Sequence, residues 1–244
     1  WERCVLGLPS IVTAIAENQI PFNQALAAEG AIRFLGEGAQ VGDTDLAAAL
    51  DELIANPGAR AELAHRAWRI TDGLGRLRVA EAMIPSQSEE LRLRLAHSED
   101  RERYFDWAND PLARSQAFQT ELIPWSTHKE WFARRLADPN TQLWVLETPA
   151  GLPVGQARIE REGGRGLLSY SIDRAFRGRG WAARLLELTI TAWRREVGNQ
   201  PLMAETRPEN ERSGRALRAA GFSWEGEGPD KRQRWVFLPG DQVQ

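Results

Sequence analysis

Apolar positions in the first third of the chain switch repeatedly between helical and strand-like spacing. "CVLGLPSIVTAIA" joins a helix end to a Gly-Leu-Pro turn and an Ile-, Val- and Ala-rich run that predicts a buried strand. "PFNQALAAEGAIRFLG" then keeps helical spacing through Ala28, with Gly30 as its C-terminal glycine and a short strand from Ala31 to Leu35. Asp43 or Thr44 can cap a further helix running to Ala55, where "NPG" breaks it, and "ARAELAHRAWRI" supplies another before "DGLG". These elements predict a small layered α/β unit.

The pattern resets at "MIPSQSEE", residues 83–90, where a proline, two serines and paired acids mark a linker. The chain accordingly divides into residues 1–85 and 86–244. Leu91, Leu93 and Leu95 alternate with Arg92 and Arg94, predicting a half-buried strand with a basic face toward solvent. Helices follow at 99–108 and 127–137, then strands at 142–148 and 153–161 joined by the turn "TPAGLP". "GLLSYSI" is the next strand, followed by a helix to about residue 196, the strand "PLMAET", a short helix after Asn210 and a last strand near "RQRWVFL". This order is that of an α+β domain with a mostly antiparallel sheet.

Hydrophobic residues make up 42% and charged residues 27% of the 244, enough apolar surface to build a core and too much for a disordered chain. No run nears the roughly 18 apolar residues that span a bilayer, and the first residues lack the order of a signal peptide, so the expected location is cytoplasmic with no membrane partner. Trp1 stands first and the pattern around it starts midway, as in a fragment of a longer chain. Cys4 is the only cysteine, and His65, His97 and His128 lack ligand spacing, so neither a disulfide framework nor a metal site is expected. Residues 1–85 carry 7 basic and 11 acidic side chains, 7 − 11 = −4; the rest carry 24 and 23, 24 − 23 = +1. Neither balance suits nucleic acid. Eight of the ten tryptophans follow residue 85, where core packing accounts for most and a pocket wall for some.

Candidate chemistry begins at "RGRGWA", residues 177–182, between a strand and the amphipathic pattern "ARLLELTITAW". A glycine pair between arginines fits a surface turn. It equally fits an anion cradle, in which small residues let main-chain N–H groups converge and the next helix adds its N-terminal partial charge. Arg177 and Arg179 can add direct charge. About thirty residues later, "NERSGRALRAAGF" reads as a helix with Asn210 as N-cap and Gly221 at its C-terminal end.

With both motifs at this separation, residues 91 to about 238 resemble the GNAT superfamily of acyl-CoA-dependent N-acetyltransferases. Arg177, Gly180 and Ala182 match its Arg/Gln-x-x-Gly-x-Gly/Ala pattern, and Asn210, Ser213, Gly221 and Phe222 match its Asn-x-x-Ser/Ala…Gly-Phe pattern. The resemblance implies acetyl-CoA as co-substrate, its pyrophosphate on the main chain of Arg177, Gly178, Arg179, Gly180, Trp181 and Ala182. It also implies pantetheine in a splay between "LLSYSI" and "PLMAET", and a main-chain N–H near Ile172 stabilising the oxyanion when an amine attacks the thioester. Asn210 either touches the cofactor or only caps its helix. Glu205 is the first candidate for the base, with a structural carboxylate as the alternative. Relatives place a tyrosine seven residues after the matching asparagine; that position here is Leu217, leaving Ser213, Tyr170 or a water to act as acid.

"WANDPLARSQAF" and "IPWSTHKEWFARRL" resemble the nucleotide-sugar branch of this superfamily, in particular acetyltransferases of pseudaminic acid biosynthesis that act on the 4-amino group of a UDP-linked amino sugar. The matching positions are Trp107, Asn109, Arg114, Trp125, His128 and Trp131, of which Asn109, Arg114 and His128 can meet the uridine diphosphate. Residues 1–85 resemble the C-terminal end of the UDP-sugar hydrolase of that pathway, a truncated Rossmann-like, glycosyltransferase-B-like lobe. By that resemblance Glu2 contacts the ribose, and Glu17, Asn18 and Gln19 face the diphosphate or sugar; loop capping is the alternative for these residues. The hydrolase's catalytic lobe would precede Trp1, so hydrolysis is expected to be absent. Two other readings stay open: acetylation of protein N-termini or other small amines, and a cofactor-binding module without catalysis, which Leu217 suggests.

Overall fold

A computed structural model describes residues 1–228 and 231–238, and the chain divides into two units, Trp1–Met83 and Ile84–Gln244. The first unit contains α1 (Glu2–Val5), β1 (Ile11–Ala14), α2 (Ile20–Ala28), β2 (Arg33–Glu37), α3 (Asp43–Ala55), α4 (Pro57–Ile70) and α5 (Gly75–Met83). β1 and β2 pair in parallel, Ile11 opposite Arg33, with α2 as the crossover. Cys4, Val12, Leu26, Ala31, Ile32 and Ala67 form its core. β2 starts two residues later than the apolar run suggests, because the N–H groups of Gly30 and Ala31 still close α2 on the carbonyls of Ala27 and Leu26, both at 2.9 Å. Asn56 starts α4 by accepting from the N–H of Ala59 at 2.9 Å, with Pro57 at the first helical position. The described residues of this unit hold a single β–α–β crossover; the further strands of a Rossmann-like lobe are not among them.

The second unit runs β3 (Arg92–Leu95), α6 (Arg101–Ala108), α7 (Pro111–Gln116), α8 (Trp125–Ala137), β4 (Thr141–Glu147), β5 (Pro153–Glu162), β6 (Arg165–Ile172), α9 (Trp181–Val197), β7 (Leu202–Thr206), α10 (Glu211–Ala219), β8 (Ser223–Glu227) and β9 (Gln233–Phe237). Its sheet has the order β3-β4-β5-β6-β7-β9-β8, and only β6 and β7 are parallel. The expected mixed, mostly antiparallel sheet is present.

Register assigns every side chain to a face. Leu143 and Val145 of β4 pack with Tyr104, Trp107 and Phe132 of α6 and α8. Through β5, the same face carries Gln156 and Arg158, and through β6, Ser169 and Ser171. The opposite face carries Leu168, Tyr170 and Ile172 and is covered by α9, whose Leu185, Leu186, Ile190 and Trp193 are buried. Gly166 permits this packing: a Cβ there would lie 2.7 Å from Ile159, 2.8 Å from Leu202 and 2.9 Å from Trp193.

Two expectations are corrected here. Arg94 does not face open solvent: its guanidinium holds Asp100 through two hydrogen bonds of 2.6 and 2.8 Å and Glu147 at 2.6 Å, while Leu95 is 63% exposed. A buried carboxylate attracts the guanidinium more strongly than alternation directs it outward. β8 was not anticipated; it contains Gly226 at φ 137°, where its pairing with β9 shifts register.

Candidate active site

β6 and β7 pair only over Gly166–Leu168 and Leu202–Ala204, yet β6 continues to Ile172 and β7 to Thr206. The strands therefore part into a wedge. Main-chain direction along β6 follows from two bonds: the N–H of Asp173 donates to Val154 of β5 at 2.9 Å, and the N–H of Gly166 donates to Pro201 on the other side at 2.9 Å. Alternation then turns the N–H and C=O groups of Tyr170 and Ile172 away from β5 and into the wedge. Pro201 and Leu202–Ala204 end their pairing before these groups, so among the described residues the wedge leaves the Tyr170 N–H and C=O and the Ile172 N–H unpaired, while the Ile172 C=O accepts from Arg177.

At the mouth of the wedge the chain passes through Gly178 (φ 84°) and Gly180 (φ 78°) into α9. A Cβ at either glycine would meet nothing within 4 Å, so the cradle is open. The N–H groups of Gly178, Gly180, Trp181 and Ala182 meet no acceptor among the described residues. Convergent N–H groups at the start of a seventeen-residue helix make an anion seat. The wedge and cradle belong to one groove of about 1310 Å³ that also reaches α7, α8 and α10.

The arginines of the loop act differently from expectation. Arg177 donates through Nε to the Ile172 carbonyl at 3.0 Å and pairs with Asp110 at 2.6 Å, so its charge braces the loop. Arg179 lies over the rings of Phe176 and Trp181, 5.3 and 5.1 Å from their centroids, and does not line the groove. Trp181 is buried and stacked on Phe176, leaving its main chain as the part available to the cradle. Asp110, unremarked in the sequence, also caps α7 by accepting from Ala113 at 3.0 Å. Burial alone would raise its carboxyl, but the Ala113 N–H together with the hydrogen bond and charge of Arg177 hold it below the usual range. Trp107 adds a second tie, donating to Asp173 at 2.8 Å.

Tyr170 and Ser213, named separately as substitutes for the missing acid, are brought together: the phenol oxygen lies 2.8 Å from Ser213 Oγ. Burial pushes the phenol up to about 12, and the Ser213 hydrogen bond partly offsets that rise. Asn210 caps α10 by accepting from Ser213 N–H at 3.2 Å and also lines the groove. Leu217, one turn beyond Ser213, is fully buried. Glu205 projects from β7 on the face shared with Ser169 and Ser171, where Arg232 holds one carboxylate oxygen at 3.0 Å and Arg234 approaches at 3.7 Å.

The three residues assigned to an acceptor behave unequally. Arg114 lines the groove; burial lowers its pKa, and its Nε has no hydrogen-bond partner among the described residues. Asn109 is turned to Ile123 instead, accepting from its N–H at 2.8 Å and donating to its carbonyl at 3.1 Å, so it closes the loop and does not line the groove. His128 lines the groove but is only 2% exposed, packed among Phe105, Trp125, Trp131 and Phe132. Its Nε2 donates to the Arg101 carbonyl at 2.7 Å, and burial lowers its pKa. Such a ring supports the wall more than it presents a group to a ligand. Arg158, which the sequence reading passed over, lies under the Trp131 ring with its Nε 3.0 Å from Glu160. A half-buried arginine in an alternating strand gives no sequence signal of its own. In the first unit, Glu2 lies exposed in α1, and Glu17, Asn18 and Gln19 form a turn after β1 in which Gln19 accepts from Ile15 N–H at 3.1 Å.

Comparison with known proteins agrees with this geometry. Residues 90–223, just over half of the chain, match the acetyltransferase (GNAT) domain family model. No curated protein matches. Among solved structures, spermidine N-acetyltransferase from Vibrio cholerae in complex with CoA and spermine is 15% identical with a TM-score of 0.57, covering 62% of this chain and 96% of that one. A domain from Methanocaldococcus jannaschii is 18% identical with a TM-score of 0.55, covering 61% and 97%. Aminoglycoside acetyltransferase AAC(6')-Ib in complex with coenzyme A and kanamycin is 17% identical with a TM-score of 0.54, covering 61% and 95%. With wedge, cradle and family model all falling within one stretch, the chain belongs to the GNAT acetyltransferase family.

Proposed function

We propose that the chain transfers the acetyl group of acetyl-CoA to the amine of a small molecule. The observation that carries this reading is the wedge, whose Tyr170 N–H and C=O and Ile172 N–H find no partner among the described residues and lead directly to the open glycine cradle. An extended chain carrying amides fits the first, and a pyrophosphate fits the second. When bound, acetyl-CoA supplies the activated thioester carbonyl. The main chain at Gly178, Gly180, Trp181 and Ala182 would hold its pyrophosphate, and the Ile172 N–H would stabilise charge on the carbonyl oxygen. Glu205, on the α8 face of the wedge, would take the amine's proton directly or through water. In this reading Arg177 acts through the loop it braces, and Asn210 through its helix cap.

The similar solved structures include enzymes named for polyamines and aminoglycosides, which makes a small amine the acceptor class with most support. A narrower reading, the 4-amino group of a UDP-linked amino sugar, is favoured by one observation. The groove wall carries Arg114 and Arg134, besides Arg158, which Glu160 already holds, whereas its carboxylates are Glu121 and Glu205, the latter already held by Arg232. A wall of guanidiniums suits an acceptor bearing phosphate better than a polycation. The first unit, as a UDP-sugar hydrolase-like lobe offering Glu2, Glu17, Asn18 and Gln19, would then bind the same class of nucleotide sugar without hydrolysing it.

Competition among equal concentrations of a UDP-4-amino sugar, spermidine, kanamycin and an N-terminal peptide, read by product mass, tests the order. Acetylated UDP-sugar as the main product supports the narrower reading. Dominant spermidine or kanamycin product keeps the small-amine reading and removes the narrower one, and peptide product alone removes both.

A further inference from the structure

Given the acetyltransferase reading above, we infer that Tyr170, positioned by Ser213, donates the proton taken up by the departing cofactor sulfur, in place of the tyrosine that relatives carry at the position of Leu217. Tyr170 lies beyond the last residue at which β6 pairs with β7, so its main chain lines the wedge while its ring points to the α9 and α10 face. There its oxygen lies 2.8 Å from Ser213 Oγ and 3.4 Å from the Ser213 carbonyl. Ser213 is held in turn by the Asn210 cap. Both residues line the groove, and Leu217, one turn further along the same helix face, has no proton to give.

Other hydroxyls near the wedge are unsuited. Ser169 and Ser171 project from the opposite face, toward Arg158 and Gln156. Thr206 is buried and accepts from the Trp235 indole at 3.0 Å. Tyr170 thus stands across the wedge from Glu205, with acid and base on opposite faces of the sheet. That is the arrangement needed when nucleophile and leaving group occupy opposite sides of one carbonyl.

The proton count closes. Attack by the neutral amine forms the C–N bond and moves the carbonyl electron pair to oxygen. When the carbonyl re-forms, the C–S bond breaks and its electron pair stays on sulfur, which takes the Tyr170 proton. The surplus proton on nitrogen leaves through Glu205 or water to solvent, and solvent returns one to the phenolate. Ser213, turning its hydroxyl to donate, stabilises that phenolate until then. The products are a neutral amide and a thiol.

Tyr170→Phe, Ser213→Ala and the double variant test this, using steady-state kinetics with the best amine and calorimetry with CoA and with desulfo-CoA, which lacks the sulfur. Tyr170→Phe should lower kcat by about a hundredfold or more, with KM for acetyl-CoA changed less than about threefold. Ser213→Ala should cost about tenfold, and the double variant should be no slower than Tyr170→Phe, because the pair acts as one unit. The wild-type chain should bind CoA more tightly than desulfo-CoA, and Tyr170→Phe should erase that difference while leaving desulfo-CoA affinity intact. Near-normal kcat in Tyr170→Phe overturns the assignment. So does an equal loss of affinity for both ligands, which marks a structural role. Absence of turnover of any amine by the wild-type chain overturns the enzymatic reading itself, and the acid with it.

Discussion

Gly180 has a φ of 78° and no atom within 4 Å of where a Cβ would stand, so a side chain there meets strain from the backbone and not from neighbours. Gly180→Ala should therefore fold with a penalty of about 1–2 kcal/mol. Gly180→Trp, which fills the cradle, should weaken acetyl-CoA binding by about a hundredfold, about 2.7 kcal/mol, in calorimetry. At this scale the sequence was informative wherever the main chain does the work, since glycine spacing is written in the letters. It was less so for side chains that could face two ways. Asn109 and His128 carry groups suited to a nucleotide, but loop closure and burial take them, and neither demand shows in local spacing. His128 gives a pH signature. Because burial lowers its folded-state pKa below 6.5, the unfolded chain binds a proton first on acidification. Its contribution to stability is complete above about pH 6.5 and is lost as pH falls toward the folded pKa. Urea denaturation of the wild-type chain and of His128→Gln at successive pH values should show the wild-type slope shrinking in the variant; an unchanged slope assigns it to other groups.

Between elements, the cofactor loop is tied to the acceptor wall by Asp110–Arg177 and Trp107–Asp173, one bond from each end of the α6–α7 turn. Asp110→Asn keeps a capping oxygen for α7 but loses the charge that holds Arg177. We expect a stability loss of about 1–3 kcal/mol by denaturation, together with weaker acetyl-CoA binding, because Arg177 would no longer fix the Ile172 carbonyl. Unchanged affinity would show that the loop holds its shape without the tie. The same long-range bonds explain what elements the sequence did and did not disclose. α9 and the run β4–β5–β6 follow from continuous periodicity. β3 followed as a strand, but its exposed face did not, because Asp100 and Glu147 reclaim Arg94. β8 is five residues of mixed character with a glycine-marked register shift, and it exists because β9 supplies a partner that local sequence does not announce.

On the scale of the whole molecule, the division near residue 84 and the location of the family match in residues 90–223 place the chemistry in the second unit. Residues 84–244 expressed alone should fold cooperatively and keep acetyl-CoA affinity within about threefold of the full chain. The cofactor half of the site was legible because two motifs about thirty residues apart meet in one groove. The acceptor half was less so, since its wall comes from α7, α8 and the connecting loop, where charge counts only once the fold shows which arginines lack carboxylates. The central claim is transfer of acetyl from the cofactor held in the wedge to a small amine. Single turnover with acetyl-labelled acetyl-CoA tests it most directly, following the label by mass spectrometry and free thiol by colour. One labelled amide and one thiol per wild-type active site are expected, and neither from Gly180→Trp. Thiol release without label on any amine, or equal turnover by both proteins, would contradict it.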